Sequence, residues 1–515
     1  MYFGSKAPSV GRLSSTRDSG ETYSEGNALT MAAESLLRDH LRAQFVGKTL
    51  NDVVTPSVIL DLAKVEANCS LMLEAAERLQ LSWRAHIKTH KTEELTRLQV
   101  GNESSSPVNL IVSTIIEAEK LVPLLKEYQE KGRQVNVLYS FPLYSSCIDR
   151  LAKVSTQLGA GALTVMVDNA EQVPLLGTLS SKSGGNAPLV FLKVNVGSNR
   201  AGVVPDTPAC AELVDALLTS EAAKSSQLLG LYTHAGHSYA TRKDWEAMGI
   251  LSAEFEALKQ VAKLVHEKRS PGKDPLVLSV GATPTATTIQ HPDLASTNGA
   301  SNGDSTDSHS GPELLTAIPT SHLKHLIKGL KAEGFTLEVH AGVYPTLDVQ
   351  QLAAHARDSS FLNSSMIGIS VLADVASIYP SRGPDGATEA LVNAGCIALG
   401  REPCQDMGAV PGQHYAAWGI LMPWHSLLTT PVPGPDFPAV HTGWEVAKIS
   451  QEHGVLQWVG PKEDEVSLEV GQRVRIWPNH SCITGAAHAF YYVVDSRNEG
   501  REDEIVDVWV RWNGW

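Results

Sequence analysis

The sequence predicts a (β/α)8 barrel followed by a second, mostly antiparallel β domain, and three observations carry that expectation. Apolar runs at 81–88, 108–114, 135–141, 162–168, 188–197, 228–236, 276–283 and 335–342 alternate with helical patterns such as Ile116–Lys131 and Trp245–Lys268. Eight such units in about 260 residues match the count and size of a closed barrel. Runs such as Ala162–Val167 are apolar almost throughout, as strands covered on both faces must be. From about Leu352 helical periodicity fades, and strand runs take over at Met366–Ile378, Ala387–Leu399, Glu465–Leu468, Arg473–Ile476, Ala489–Val494 and Ile505–Arg511. A doubly wound sheet is the competing architecture, but its glycine fingerprint is missing: Gly159-Ala160-Gly161 has Thr164 where the third glycine would stand.

Taken in order, residues 1–30 are rich in Ser, Gly, Thr and Arg, bury too little to order themselves, and are expected to form a disordered tail. Leu36–Phe45 carries a short helical pattern. Val58–Leu62 reads as a strand in excess of the barrel's eight and is assigned to pack with the β domain. In the next helix Val65, Cys69, Met72, Ala76 and Leu79 make one apolar stripe. The barrel is placed within residues 51–350. It is interrupted at 290–311, where Ser, Thr, Asn, Gly and Asp predict a disordered, solvated insertion. Residues 352–515 form the C-terminal β domain.

Composition narrows the function classes. Against 42 Lys and Arg stand 56 Asp and Glu, a net charge of −14, which disfavours nucleic acid or an anionic membrane as partner. No apolar run approaches eighteen residues, and the first thirty hold no apolar signal core. Six cysteines without a C-x-x-C pair suit a reducing, cytoplasmic setting and leave free thiols as possible ligands.

A barrel keeps its chemistry at the C-terminal ends of its strands. The first strand ends in Arg84-Ala-His-Ile-Lys-Thr-His-Lys91, where a lysine among cations and partly dry walls can lose its proton and act as a nucleophile. The fifth ends in Gly197-Ser-Asn-Arg200-Ala-Gly202, the sixth in Tyr232-Thr-His234-Ala-Gly-His-Ser-Tyr239, the seventh in Ser279-Val-Gly281-Ala-Thr283-Pro-Thr285, and the eighth in His340-Ala-Gly342-Val-Tyr344. Glycines and threonines after the last two strands are what a barrel uses to hold a phosphate. Lysine plus phosphate site points to pyridoxal phosphate. In the β domain, Pro478-Asn-His480-Ser-Cys482 would put imidazole and thiolate on one side of a strand, a soft pair suited to zinc. His453 and His488 are further ligand candidates.

These motifs together resemble eukaryotic D-serine dehydratases, a family related to D-threonine aldolase and alanine racemase among fold-type III pyridoxal phosphate enzymes. The resemblance runs from about Gly47 to the C-terminus, the insertion excepted. It implies that Lys88, not Lys91, carries the cofactor, that His480 and Cys482 bind zinc, and that His234 lies against the cofactor ring. It further implies Gly281, Thr283 and Gly342 near the phosphate, Arg200, Tyr239 and Tyr344 in the site, a D-amino acid substrate and a homodimer. The implied activity is zinc-assisted β-elimination of water from D-serine to pyruvate and ammonia. Retro-aldol cleavage is the alternative, and a non-catalytic pyridoxal phosphate-binding protein the third reading. Two departures from the family pattern stand out: Ser198-Asn199 replace the usual Tyr-His before Arg200, and His340 stands where racemases have an arginine facing the pyridine nitrogen. Lys91, three residues beyond Lys88, is expected in the following helix and solvated.

Overall fold

The computed structural model describes residues 35–294, 312–358, 360–404, 417–424 and 443–515. The expected tail at 1–30 and most of the expected insertion, from 295 to 311, lie outside them.

Eight parallel strands close into a barrel: β2 (Ser82–His86), β3 (Val108–Val112), β4 (Val135–Pro142), β5 (Leu163–Val167), β6 (Leu189–Lys193), β7 (Gln227–Tyr232), β8 (Val277–Val280) and β9 (Thr336–Ala341), with β9 pairing back onto β2. The preceding strand, β1 (Ser57–Asp61), takes no part in it. Every residue of β5 is buried, because helices cover the outside and side chains fill the inside. The interior is asymmetric. Ile111, Leu138, Met166, Phe191 and Tyr232 make an apolar side. Against them Arg84, whose guanidinium lies 5.5 Å from the centre of the Phe191 ring, donates to Glu338 at 2.7 Å and to Asn136 at 2.7 Å, and Ser279 donates to Glu338 at 2.8 Å. A buried charge persists where its partner and hydrogen bonds are supplied together.

The second domain is one sheet in the order β11-β14-β13-β12-β15-β10-β1-β16-β17. Its strands are β10 (Ile369–Tyr379), β11 (Glu389–Val392), β12 (Gly419–Leu421), β13 (Gly443–Ile449), β14 (Gly454–Val459), β15 (Arg473–Pro478), β16 (Phe490–Val494) and β17 (Ile505–Val510). β10 breaks register between Val375 and Ser377 and pairs with β11 as well as with β15, so six strands close on themselves. β1 lies antiparallel to β10 and parallel to β16, stitching the start of the chain into this sheet.

Sequence reading missed β12, β13 and β14 and overdrew two others. Glu465–Leu468 is not a strand, and the run Ala387–Leu399 is a strand only over Glu389–Val392 before a turn and the helix Cys396–Leu399. Short strands of a curved sheet draw their identity from cross-strand partners, which one-dimensional patterning does not contain.

Candidate active site

β2 ends at His86, and the chain turns through Ile87–His90 before the helix Glu93–Gln99. Lys88 sits in that turn, half-buried, with its backbone N–H 3.4 Å from His86 Nδ1. Lys91 departs from expectation. It lies before the helix at φ +51°, and its ammonium pairs at 2.9 Å with Glu117, whose side chain is fully buried. Glu117 also accepts from the Ser113 N–H and the Thr114 hydroxyl, so the start of the helix Ile115–Glu130 clamps Lys91 rather than leaving it in water.

Three histidines ring the mouth beside Lys88. His86 bonds to Ser113 Oγ at 3.2 Å, His234 Nδ1 to the Gly281 carbonyl at 2.9 Å, and His340 Nδ1 to Ser279 Oγ at 3.0 Å while its ring stacks on Tyr232 at 4.2 Å. A carbonyl can only accept, so His234 carries its proton on Nδ1 and presents Nε2 as an acceptor. Desolvation, reinforced by neighbouring Lys88, Arg200, Lys193 and Arg84, holds all three well below the ordinary imidazole pKa. His340 Nε2 is buried without a hydrogen-bond partner.

The loops after β8 and β9 interlock. Gly281 has φ +139°, and a Cβ there would stand 2.3 Å from the His340 carbonyl, so only glycine fits. At Gly342 a Cβ would lie 3.1 Å from the His86 carbonyl. Thr283 Oγ1 accepts from the Val343 N–H at 3.1 Å. Tyr239 reaches the same place: its hydroxyl meets Thr283 and Gln351, and desolvation and the nearby Cys482 raise its pKa. Arg200 is an exposed residue on the rim. Tyr344 is not brought into this group; its ring packs edge-on against Trp83 at 5.3 Å and its hydroxyl faces Cys69, behind the barrel wall. Sequence reading passed over His86, and over Lys193, whose ammonium lies 4.9 Å above the Tyr232 ring and whose pKa desolvation and Arg200 depress to about 8. Lys193 ends β6 with inward register, a signal available from strand alternation alone.

His480 and Cys482 meet at this mouth by a route other than the expected one. β15 stops at Pro478, His480 is the N-cap residue of the helix Ser481–Ala486, and the two side chains approach each other across that cap. Burial alone would lower His480; the hydrogen bond and charge of Cys482, with Asp348 and Glu402, raise it instead to about 9. Burial alone would raise Cys482; His480, Lys88 and Thr89 hold it below an ordinary thiol. Cys482 Sγ is 3.1 Å from Thr89 Oγ1, one residue from Lys88. Asp348 fixes the turn by accepting from the Ser481 N–H at 2.9 Å, and the buried His480 Nδ1, 3.8 Å from Glu402, has no hydrogen-bond partner. Among the described residues no group of three or more His, Cys, Asp or Glu converges as a metal cage. His488 Nε2 is directed at the Ala398 carbonyl, 3.3 Å away.

A parallel barrel that presents a mouth lysine to a trailing β domain defines the alanine racemase-like class. The family model described as alanine racemase, N-terminal domain, matches residues 60–297, and the one described as putative serine dehydratase domain matches 368–494. D-serine dehydratase of Schizosaccharomyces pombe is 33% identical over 480 residues, 93% of this chain and 96% of that one. The Saccharomyces cerevisiae D-serine dehydratase is 30% identical, over 92% of this chain and 99% of its own. The chain belongs to the D-serine dehydratase family. The solved D-threo-3-hydroxyaspartate dehydratase of a Delftia species shares the fold, with a TM-score of 0.64 at 22% identity over 91% of this chain and 100% of that one. A cysteine-to-alanine variant of that enzyme has been solved in a metal-free form. The matching relatives named as aldolases align over at most 46% of this chain by sequence.

Proposed function

We propose that this chain removes water from D-serine, with pyridoxal phosphate carried on Lys88 and a zinc ion held by His480 and Cys482, releasing pyruvate and ammonia. One observation carries the reading: the turn bearing Lys88 and the turn bearing His480 and Cys482 face each other, with Thr89 against Cys482 at 3.1 Å. The residues fit both groups. A half-buried lysine beside neutral histidines, an orphaned His340 Nε2 and a Gly281–Thr283 loop suit a flat, phosphate-bearing aldehyde. An imidazole and a lowered thiol suit zinc, and a two-residue donor set leaves positions open for a substrate oxygen.

Pyridoxal phosphate supplies an electron sink for charge developing at Cα. Zinc supplies a Lewis acid, which lowers the pKa of a bound water from 15.7 to about 7–9 and so makes hydroxide a far better leaving group. The Lys88 amine, within the field of Cys482 and the histidines, is the base that takes the Cα proton. His234, with its ring fixed by the Gly281 carbonyl, would lie beside the bound cofactor as a neutral ring. Cα–H and Cβ–O break, one water leaves, and the released aminoacrylate hydrolyses to pyruvate and ammonia.

Retro-aldol cleavage remains the competing use of such a site. The family resemblance gives aldolases an acidic ligand where this chain has Cys482, which supports dehydration. Product analysis decides between them: D-serine should yield pyruvate, and dominant formation of glycine and acetaldehyde from D-threonine would overturn the assignment. Activity that survives complete chelation of zinc would remove the metal from the reaction. Assembly as a homodimer in the cytoplasm belongs to the same reading. It is supported by the family resemblance.

A further inference from the structure

One buried carboxylate at the mouth has no part in the chemistry above. Glu254 projects from the helix Asp244–Lys268, whose other buried residues, Leu251, Phe255 and Leu258 among them, are apolar except Ser252. It is 1% exposed. Its Oε1 accepts two backbone N–H groups from different strand ends, that of Ala235 at 3.1 Å and that of Gly281 at 3.2 Å. Its Oε2 has no hydrogen bond of its own, since the adjacent Thr285 hydroxyl is engaged with Ala282.

The two bonds close a small frame. Gly281 is held at both of its backbone polar groups, its N–H by Glu254 and its carbonyl by His234 Nδ1. Ala235, whose N–H is the other one tied to Glu254, directly follows His234 in the chain. One carboxylate oxygen thereby sets the backbone on either side of the His234 ring and the entry to the Gly281–Thr283 loop. The groups facing it are few: Lys193 from β6, Tyr232 from β7 and Thr285. Burial pushes the acid up to about 7, against the pull of these hydrogen bonds and of Lys193. A strongly buried acid accepting two backbone donors is costly unless its acceptor function is needed where it stands.

We propose that Glu254 is a positioning residue for the cofactor, orienting the His234 ring and the Gly281–Thr283 loop through a shared pair of backbone hydrogen bonds; this rests on the cofactor reading above. The feature required is the acceptor oxygen, which Gln retains and Leu lacks. The test strips the full-length chain of cofactor and titrates it with pyridoxal phosphate, reading the dissociation constant and the induced visible circular dichroism, neither of which depends on turnover.

Glu254→Leu should weaken cofactor binding by tenfold or more and alter the dichroic band, whereas Glu254→Gln should stay within about threefold of the parent with an unchanged band. Parent-like affinity and dichroism in Glu254→Leu would overturn the proposal, as would a Gln variant as impaired as the Leu one. Should Glu254→Leu not fold, Glu254→Asp replaces it: the shorter acid cannot span both donors, so an intermediate loss is expected, and unchanged binding overturns the idea. A parent chain that develops no Lys88-dependent visible band would instead sink the cofactor reading itself.

Discussion

The two turns that meet at the mouth are built in opposite ways. The Arg84–Lys91 segment takes its side-chain partners chiefly from the barrel, Arg84 from Glu338 and Asn136, His86 from Ser113 and Lys91 from Glu117, while its His90 and Lys91 carbonyls accept from the Tyr491 hydroxyl and the Trp512 N–H of the β domain. The Asn479–Cys482 turn is held largely from outside its own sheet. Ser481 donates its N–H to Asp348 and its hydroxyl to the Leu347 carbonyl, the Asn479 carbonyl accepts from the Gln350 N–H, and Cys482 rests on Thr89. The side chains of the lysine turn are thus anchored chiefly by barrel residues, and the proposed metal turn chiefly by the segment Leu347–Gln350. The proposed cofactor lysine and the proposed metal pair should therefore be separable by mutation.

Lys88→Ala gives the largest effect. Turnover should fall by at least about a thousandfold and the visible band of bound cofactor should vanish, with the zinc content measured by atomic absorption unchanged. If Lys91→Ala erases the band instead, the assignment within the turn is wrong.

Lys91→Met tests how firmly the barrel holds its turn. It leaves Glu117 buried without its cation and should cost about 3–5 kcal/mol of unfolding free energy in denaturant titration. A cost near zero would mean that Lys91 is solvated after all.

The opposite turn is reached through Asp348→Ala, which removes the acceptor for Ser481 without touching either proposed ligand. Zinc affinity should drop by about 10–100-fold, with cofactor absorption retained. Loss of both together would show that the two turns form a single unit.

The remaining test is the pH dependence of the mouth. His86, His234 and His340 are held neutral, with folded pKa values below the unfolded value of 6.5. The unfolded chain therefore binds more protons as pH falls. Stability is whole above about pH 7 and declines on acidification through 6.5, by up to about 1.4 kcal/mol per pH unit for each histidine. Melting curves between pH 7.5 and 5.5 check this, and Tm values that rise towards acid would contradict it.

Much of this architecture was legible in the chain. Barrel strands announce themselves because burial on both faces forces continuous apolar runs, and all eight fall on the predicted stretches, with only β4 and β7 overrunning theirs, by one residue each. Lys88, Gly281 and Thr283 were visible because strand-end motifs cluster by design of the fold. The β domain was less legible: β12 is three residues long, and its pairing with β13 and β15 comes from partners remote in sequence. Tyr344 misled because proximity to Gly342 in the chain does not say which side of the wall a ring takes; its packing against Trp83 decides that. Glu254 was invisible, one of five acids in an ordinary amphipathic helix until the ends of β7 and β8 approached it.

By itself, then, the sequence determined the barrel, the trailing β domain, the lysine turn and the identity of the imidazole–thiolate pair, since burial pattern and residue chemistry are local properties. Only the tertiary structure decided that His480 and Cys482 meet across a helix cap rather than along a strand, and that Lys91 is clamped by Glu117. It also brought Thr89 and Cys482, 393 residues apart in the chain, to 3.1 Å. The physical reason is the same in each case: these contacts depend on how a buried polar group finds its partner, and that partner is supplied by whichever element packs against it.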